Sequence, residues 1–136
     1  MKTILGLLLL ILTSCGSSSS RTKPTSNTDY ENIIGTPIKF GNLEVAQYDF
    51  PEEMKWDEAK KVCEILGDGW RLPTADELNT LYQNKVTIGG FRDNLYPYWS
   101  STEFDTSNAF YQYFLNGNQD YWNKNYSVFV RVIRTL

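Results

Sequence analysis

Gly69-Trp70-Arg71-Leu72-Pro73-Thr74-Ala75-Asp76-Glu77-Leu78 is the stretch on which the fold turns. Thr74 is placed to accept from the first free amides of a helix, and Glu77 to reach back to the amide of Thr74, a capping box. Pro73 stands just ahead of that helix, where no backbone donor is missed. Leu78, Leu81 and Tyr82 follow at helical spacing and predict a core-facing stripe that ends after Asn84, with Gly89-Gly90 as a loop. Trp70 and Leu72 read as parts of the scaffold, Trp70 as a core filler. Arg71 offers a planar fork suited to holding a carboxylate or carbonyl oxygens beneath a long loop.

Upstream, Trp56, Ala59, Cys63 and Leu66 recur at helical spacing, and Gly67 and Gly69 stop the run. Cys63 falls on the buried stripe of this helix. Before it, Ile38–Phe40, Gly41-Asn42 and Leu43–Tyr48 predict a hairpin with a tight turn. Downstream, Tyr98–Glu103, Ala109–Leu115 and Ser127–Thr135 are the strand candidates, with Asn116-Gly117-Asn118 between two of them as a turn. Within Ser127–Thr135, Val128, Val130 and Val132 share one face, and Phe129 and Ile133 the other. Apolar residues on both faces predict a central strand. Two helices early and an antiparallel sheet late make an α+β domain.

Composition excludes several kinds of chemistry. The 136 residues amount to one domain. With no histidine and two cysteines, the chain builds neither a Ser-His-Asp or Cys-His nucleophile nor a histidine-ligated or four-cysteine metal site. A net charge of −3 argues against nucleic acid, whose phosphates call for a basic face. No catalytic residue, metal site or cofactor is therefore expected. Glu103 and Asp105, two apart in a loop, read as solubilising side chains rather than paired catalytic carboxylates. What stands out is aromatic content: thirteen of the chain's twenty aromatic residues lie between Phe91 and Phe129.

The N-terminus reads as an address. Lys2 supplies a positive start and Ile4 to Leu12 an apolar run, shorter than the roughly 20 residues that span a bilayer. Leu12-Thr13-Ser14-Cys15 resembles a bacterial lipobox, which implies a signal peptide over residues 1–14 and lipidation of Cys15. Several acyl chains on one cysteine anchor stably. Gly16, in place of an aspartate that retains lipoproteins in the inner membrane, implies delivery to the outer membrane of the cell envelope, on a side the sequence does not specify. Residues 15–33 then form a polar tether, and a flexible chain of about 20 residues spans roughly 25 Å. The folded domain is expected over 34–136.

A family resemblance rests on named motifs. The Gly69–Thr74 string with Glu77-Leu78, the Trp56/Ala59/Cys63 helix, Tyr98-Trp99-Ser100-Ser101-Thr102-Glu103 and Val130-Arg131-Val132-Ile133-Arg134 together resemble the Lcl C-terminal domain family. The resemblance implies a C-type-lectin-like fold, two helices packed on a small antiparallel sheet with long loops, in bacterial envelope proteins. In it Trp70, Arg71, Leu72, Pro73, Trp99, Ser100 and Ser101 are structural, with Ser100, Ser101 and Thr102 satisfying loop backbone groups. The family's namesake binds sulfated glycans, but from Leu78 onward this chain has five Lys/Arg against four Asp/Glu, so no heparin-like ligand is expected. Val132 stands where relatives often carry a cysteine, which leaves Cys63 without an intradomain partner. Trp122-Asn123-Lys124 departs from the calcium-lectin motif, so no calcium-bridged sugar site is expected.

Phe104 to Phe129 is dense in Tyr, Trp, Asn and Ser, a composition that resembles antibody paratopes, where rigid rings supply contact area and small polar residues adapt. Tyr111 and Tyr113 are expected to face outward, because Phe110 and Phe114 have no polar atom to satisfy. With Tyr121, Trp122, Asn123 and Asn125 they form the expected ligand-binding set. The frame around them also resembles the variable proteins of diversity-generating retroelements, whose mutagenesis rewrites adenines in Asn codons. Phe104, Asp105, Thr106, Ser107, Tyr111, Tyr113, Leu115, Asp120, Tyr121, Tyr126 and Ser127 are residues reachable that way, and Trp122 is not. The expected function is a lipid-anchored, non-enzymatic, adhesin-like domain that binds a protein or glycan and meets the membrane only through its anchor. The alternative is a structural or assembly subunit of an envelope complex, with the same rings buried against another chain.

Overall fold

The computed structural model describes residues 30–92 and 96–136, and the signal peptide, the lipobox at Cys15 and most of the tether lie outside the described residues. A single turn of helix, α1 (Glu31–Ile34), leads into a hairpin of β1 (Ile38–Phe40) and β2 (Leu43–Val45). Three helices follow: α2 (Trp56–Leu66), α3 (Ala75–Gln83) and the short α4 (Lys85–Ile88). Then come β3 (Pro97–Glu103), β4 (Asn108–Tyr113), β5 (Gln119–Asn123) and β6 (Ile133–Thr135). The strands make two antiparallel three-stranded sheets, in the orders β1-β2-β6 and β3-β4-β5.

The two long helices form where their sequence signals stand. Thr74 Oγ1 accepts from the Glu77 amide at 3.2 Å, and Glu77 Oε2 accepts from the Thr74 amide at 2.8 Å, which starts α3. On α2 the apolar stripe Trp56, Ala59, Val62, Cys63 and Leu66 is buried. The Cys63 thiol is free, and burial pushes its pKa up to about 12, so it is a packed side chain rather than a reactive one.

Three expectations need correction. Tyr30 and Ile33 are buried in the core, so the folded part reaches back at least to Tyr30 rather than beginning at 34. Gln119–Asn123 forms a strand that no β-branched residue announces. Of Ser127–Thr135, only Ile133–Thr135 is regular strand. Its preceding residues are nonetheless central. Carbonyls of Val128, Val130 and Val132 accept from the amides of Met54, Phe50 and Ala46, while the Phe129 carbonyl accepts from Trp99 on β3. This buried segment stitches the two sheets together. It also divides the core: Val128, Val130 and Val132 pack with Trp56, Trp99 and Tyr111, and Phe129 and Ile133 with Tyr98, Phe114 and Leu78.

Arg131 lies between these valines and is completely buried. Its Nε donates to Asp49 Oδ1 at 2.6 Å, Nη1 to the carbonyls of Ala46 (3.0 Å) and Gln47 (3.2 Å), and Nη2 to that of Gly90 (2.6 Å). The guanidinium also lies over the Phe91 ring, 4.2 Å from its centroid. Asp49 Oδ2 accepts from the Tyr98 hydroxyl at 2.6 Å. Burial raises the Asp49 carboxyl pKa above its ordinary value, against the opposing pull of Arg131. The loop at Gly89-Gly90, legible in sequence as a break, is thus pinned by an arginine some forty residues later. Gly90 is needed there, with φ of +74° and room for a Cβ only 3.0 Å from the Gln47 carbonyl.

Candidate ligand-binding surface

The two sequence motifs meet at the start of α3. The Ser101 amide donates to the Pro73 carbonyl at 2.8 Å, and Thr102 Oγ1 accepts from the Ala75 amide at 2.9 Å. Ser100 Oγ donates to the Phe110 carbonyl at 2.8 Å and accepts from the Thr102 amide. Trp99 is fully buried with Nε1 on the Met54 carbonyl, and Trp70 is buried beneath the Arg134 guanidinium. Arg71 forks onto Glu77, Nη1 to Oε2 at 2.7 Å and Nη2 to Oε1 at 2.9 Å. That pairing holds the Glu77 carboxyl below its ordinary pKa. Arg71 therefore braces the capping box, and the arginine that holds loop carbonyls is Arg131. These residues build the frame.

The frame presents the β4–β5 hairpin, whose register decides which rings are accessible. Phe110 lies opposite Tyr121, Ala109 opposite Trp122, and Tyr111 opposite Asp120. Since side chains alternate along a strand, Phe110 and Tyr121 share one face, and Ala109, Tyr111, Tyr113 and Trp122 the other. The second face packs onto the core beside α2, and Tyr111 is only 4% exposed. The expected orientation of Tyr111 is reversed. Its ring lies 4.6 Å from Trp122 and meets Tyr113 edge-on at 5.3 Å, so it is held by aromatic packing on the core side. Burial pushes the Tyr111 pKa up to about 12. Tyr113 is half-buried. Phe114 is buried as expected, but it stands in the turn beyond β4, where alternation no longer applies.

On the opposite face Tyr121 is accessible and is joined by two rings outside the expected set. Phe104 stacks flat on Tyr121, with centroids 3.8 Å apart and planes within 2°. Phe110 meets both edge-on, at 5.9 and 6.1 Å. Phe104 is 50% exposed and Tyr121 41%. The signal that finds Phe104 is the β4–β5 pairing itself: once Tyr121 is placed opposite Phe110, the turn after β3 falls against them.

The loop after β5 follows at the end of the hairpin. Asn123, Asn125 and Tyr126 line an open concavity of about 310 Å³. Asn123 Oδ1 accepts from the Asn125 amide at 3.0 Å, and Tyr126, 58% exposed, lies 5.5 Å from the half-buried Trp122. Lys124 ties the loop to the turn after β3: its Nζ donates to Glu103 Oε2 (2.7 Å) and the Thr106 carbonyl (2.9 Å), and its amide to the Ser107 carbonyl. Of the six expected ligand-binding residues, then, Tyr121, Trp122, Asn123 and Asn125 gather at one end of the hairpin, Tyr113 lies at its margin, and Tyr111 is withdrawn.

Nothing in this surface is arranged for acid–base chemistry. Lys124 holds the Glu103 carboxyl below its ordinary pKa, and the Asn108 amide with the Ser107 backbone does the same for Asp105. A general acid at neutral pH needs the opposite shift. Asp105 instead closes its turn, with Oδ1 accepting from the amides of Ser107 and Asn108 at 2.8 Å each.

No curated protein matches the sequence. Among solved structures, botrocetin superposes with a TM-score of 0.53 at 11% identity, covering 74% of this chain and 96% of that one. Rhodocetin, in a structure of its complex with the integrin α2-A domain, gives a TM-score of 0.51 at 16% identity over 76% of this chain and 98% of that one. The Yersinia pseudotuberculosis adhesin InvE gives 0.51 at 18% identity over 72% of this chain, which matches only 34% of the adhesin. These likenesses establish the α+β, C-type-lectin-like fold. Residues 17–134 match the model of the Lcl C-terminal domain, a span that includes the whole frame described above. The chain belongs to the Lcl C-terminal domain family.

Proposed function

We propose that this protein is a lipid-anchored, non-enzymatic binding domain of the bacterial cell envelope, which recognises a protein or glycan through one end of the β4–β5 hairpin. The surface consists of Phe104 and Tyr121 with the loop residues Asn123, Asn125 and Tyr126, the last resting on Trp122 from the other face. The observation that carries the reading is the half-exposed Phe104–Tyr121 stack on a hairpin whose following loop opens an Asn123/Asn125/Tyr126 concavity. Rigid rings next to small amides give contact area at little entropic cost. InvE is an adhesin, and rhodocetin was solved bound to an integrin domain, which supports a protein ligand. Cys15 is the anchor, delivery is to the outer membrane, and the polar residues after Cys15 are the tether. Metabolic labelling with an acyl probe marks the wild type and not Cys15→Ala; equal labelling removes the anchor.

Retroelement diversification fits the same surface. Of the positions reachable from Asn codons, Phe104, Asp105, Thr106, Ser107, Leu115, Asp120, Tyr121, Tyr126 and Ser127 are exposed, Tyr113 is half-buried and Tyr111 buried. Sequencing the gene across a population tests this: variation concentrates at the exposed codons, and uniform codons there end the idea. The binding reading is tested by screening the full chain against surface proteins and glycans, with Phe104→Ala/Tyr121→Ala/Tyr126→Ala as control. All three side chains are exposed, so the variant keeps its fold and loses the captured ligand. Equal capture by both proteins contradicts the proposed surface.

A further inference from the structure

Phe104 belongs to the turn after β3, and Asn123, Asn125 and Tyr126 to the end of β5 and the loop beyond it. Lys124 joins these two segments. Its Nζ donates to Glu103 Oε2 at 2.7 Å and to the Thr106 carbonyl at 2.9 Å, one on each side of Phe104 in the chain. Its amide donates to the Ser107 carbonyl at 2.8 Å, and its carbonyl accepts from the Trp56 amide at 3.1 Å, at the start of α2. The ammonium lies 4.4 Å from the centroid of the buried Trp56 ring, and 12% of the side chain is exposed.

Lys60 gives the contrast. It lies 4.6 Å from the same ring and favours the charged form of Glu103 through its field, yet it is exposed. An exposed lysine loses side-chain entropy for little gain when it pairs. Lys124, enclosed by a ring, a carboxylate and a carbonyl, is held in one geometry by charge-assisted bonds.

The bridge makes little use of the side chains that a ligand would meet. Thr106 and Ser107 enter it through their carbonyls, Trp56 through its amide and buried ring, and Glu103 through its carboxylate. The rings of Phe104, Tyr121 and Tyr126 and the hydroxyls of Thr106 and Ser107 take no part in these contacts. The turn itself closes separately, on Asp105 Oδ1.

Resting on the binding surface proposed above, we infer that Lys124 is its positioning residue. It locks the Phe104 turn to the Asn123–Tyr126 loop, so the surface is presented preformed and its exposed side chains can change without moving the frame beneath them. A preformed surface avoids the ordering cost that mobile loops incur on binding. Specificity then resides in the exposed side chains, and geometry in Lys124.

Hydrogen exchange and NMR of the full chain test this without ligand. Lys124→Met keeps an apolar stem over Trp56 and removes the donors. The Phe104 and Tyr126 amides, bonded to the Asn108 and Asn123 carbonyls, then exchange about tenfold faster. The Tyr121 ring resonances move toward their positions in Phe104→Ala, which lacks the stack, while α3 amides exchange as in the wild type. Lys60→Met removes the same charge from the same ring and changes neither readout. Thr106→Ala/Ser107→Ala/Tyr126→Ala leaves exchange at the Phe104 amide unaltered. Equal effects of Lys124→Met and Lys60→Met overturn the inference, because charge alone then matters. So does unchanged exchange in Lys124→Met, or loosening of the same size in the triple variant. If Lys124→Met fails to fold, Glu103→Gln, at an exposed position, carries the test. Several-fold faster exchange at Phe104 then supports the inference, and wild-type exchange overturns it. Failure of the binding reading shows elsewhere: Phe104→Ala/Tyr121→Ala/Tyr126→Ala captures ligand as the wild type does, while the exchange result stands.

Discussion

Arg131→Met lowers the free energy of unfolding by about 3–5 kcal/mol, a large share of what a domain of this size possesses. The guanidinium has no contact with solvent and serves acceptors from two distant parts of the chain: Asp49 with the carbonyls of Ala46 and Gln47, and the carbonyl of Gly90. Methionine fills much of the volume but leaves the Asp49 carboxylate buried and three carbonyls without their donor. A buried polar group stripped of its partner costs far more than the bond was worth when made. Arg131→Lys keeps the charge, yet one ammonium cannot reach acceptors spread around a planar fork, so most of the loss persists. Urea unfolding measures both. Adding Asp49→Asn to Arg131→Met recovers part of the loss, because it removes a buried charge left with only the longer, 3.6 Å pairing to Arg92. A shift in Arg131→Met smaller than about 1 kcal/mol would mean that the guanidinium is dispensable to the fold.

Trp99→Ala is the second large effect, at about 3–5 kcal/mol. The ring is fully buried, its Nε1 donates to the Met54 carbonyl at 2.9 Å, and its backbone amide donates to the Phe129 carbonyl. It thus packs where β3, the segment before α2 and the buried Val128–Ile133 stretch converge. Alanine leaves a cavity inside a fully buried cluster already close-packed, with little freedom to collapse into it. Trp99→Phe separates the two contributions. It retains most of the packing and removes one of the two hydrogen bonds to the Met54 carbonyl, which keeps the Val128 amide, at about 0.5–1.5 kcal/mol. The same urea titration distinguishes them: Trp99→Ala must fall well below Trp99→Phe, and equal midpoints would assign the residue's role to the hydrogen bond alone.

Local signals were the legible ones. The Thr74/Glu77 box and the Trp56–Leu66 stripe depend on side chains within a few residues of each other, and the structure has both. Membership of the fold was legible through the same motifs. β5 was not, because an edge strand facing solvent needs no apolar alternation, and Gln119-Asp120-Tyr121-Trp122-Asn123 shows none. The orientation of Tyr111 depends on how β4 pairs with β5 and on the Trp122 ring that pairing sets beside it, neither of which spacing within one strand reveals. Arg131 is the clearest case of distance. By alternation it stands with Phe129 and Ile133, on a face that is core, and only a carboxylate 82 residues away explains how it stays there. Of the residues at the proposed surface, Tyr121, Asn123 and Asn125 were legible in the sequence. Phe104 joined them through a turn contact, and Tyr111 left them through register.

Hydrogen exchange on the full chain, with and without the ligand recovered by the screen, tests the binding surface most directly. Residues 104–108 and 119–127 are expected to gain protection when ligand is bound, because their amides form the turn, edge strand and loop beneath the rings. Protection confined to α1, α2 or the β1–β2 hairpin, with these two segments unchanged, would contradict the account.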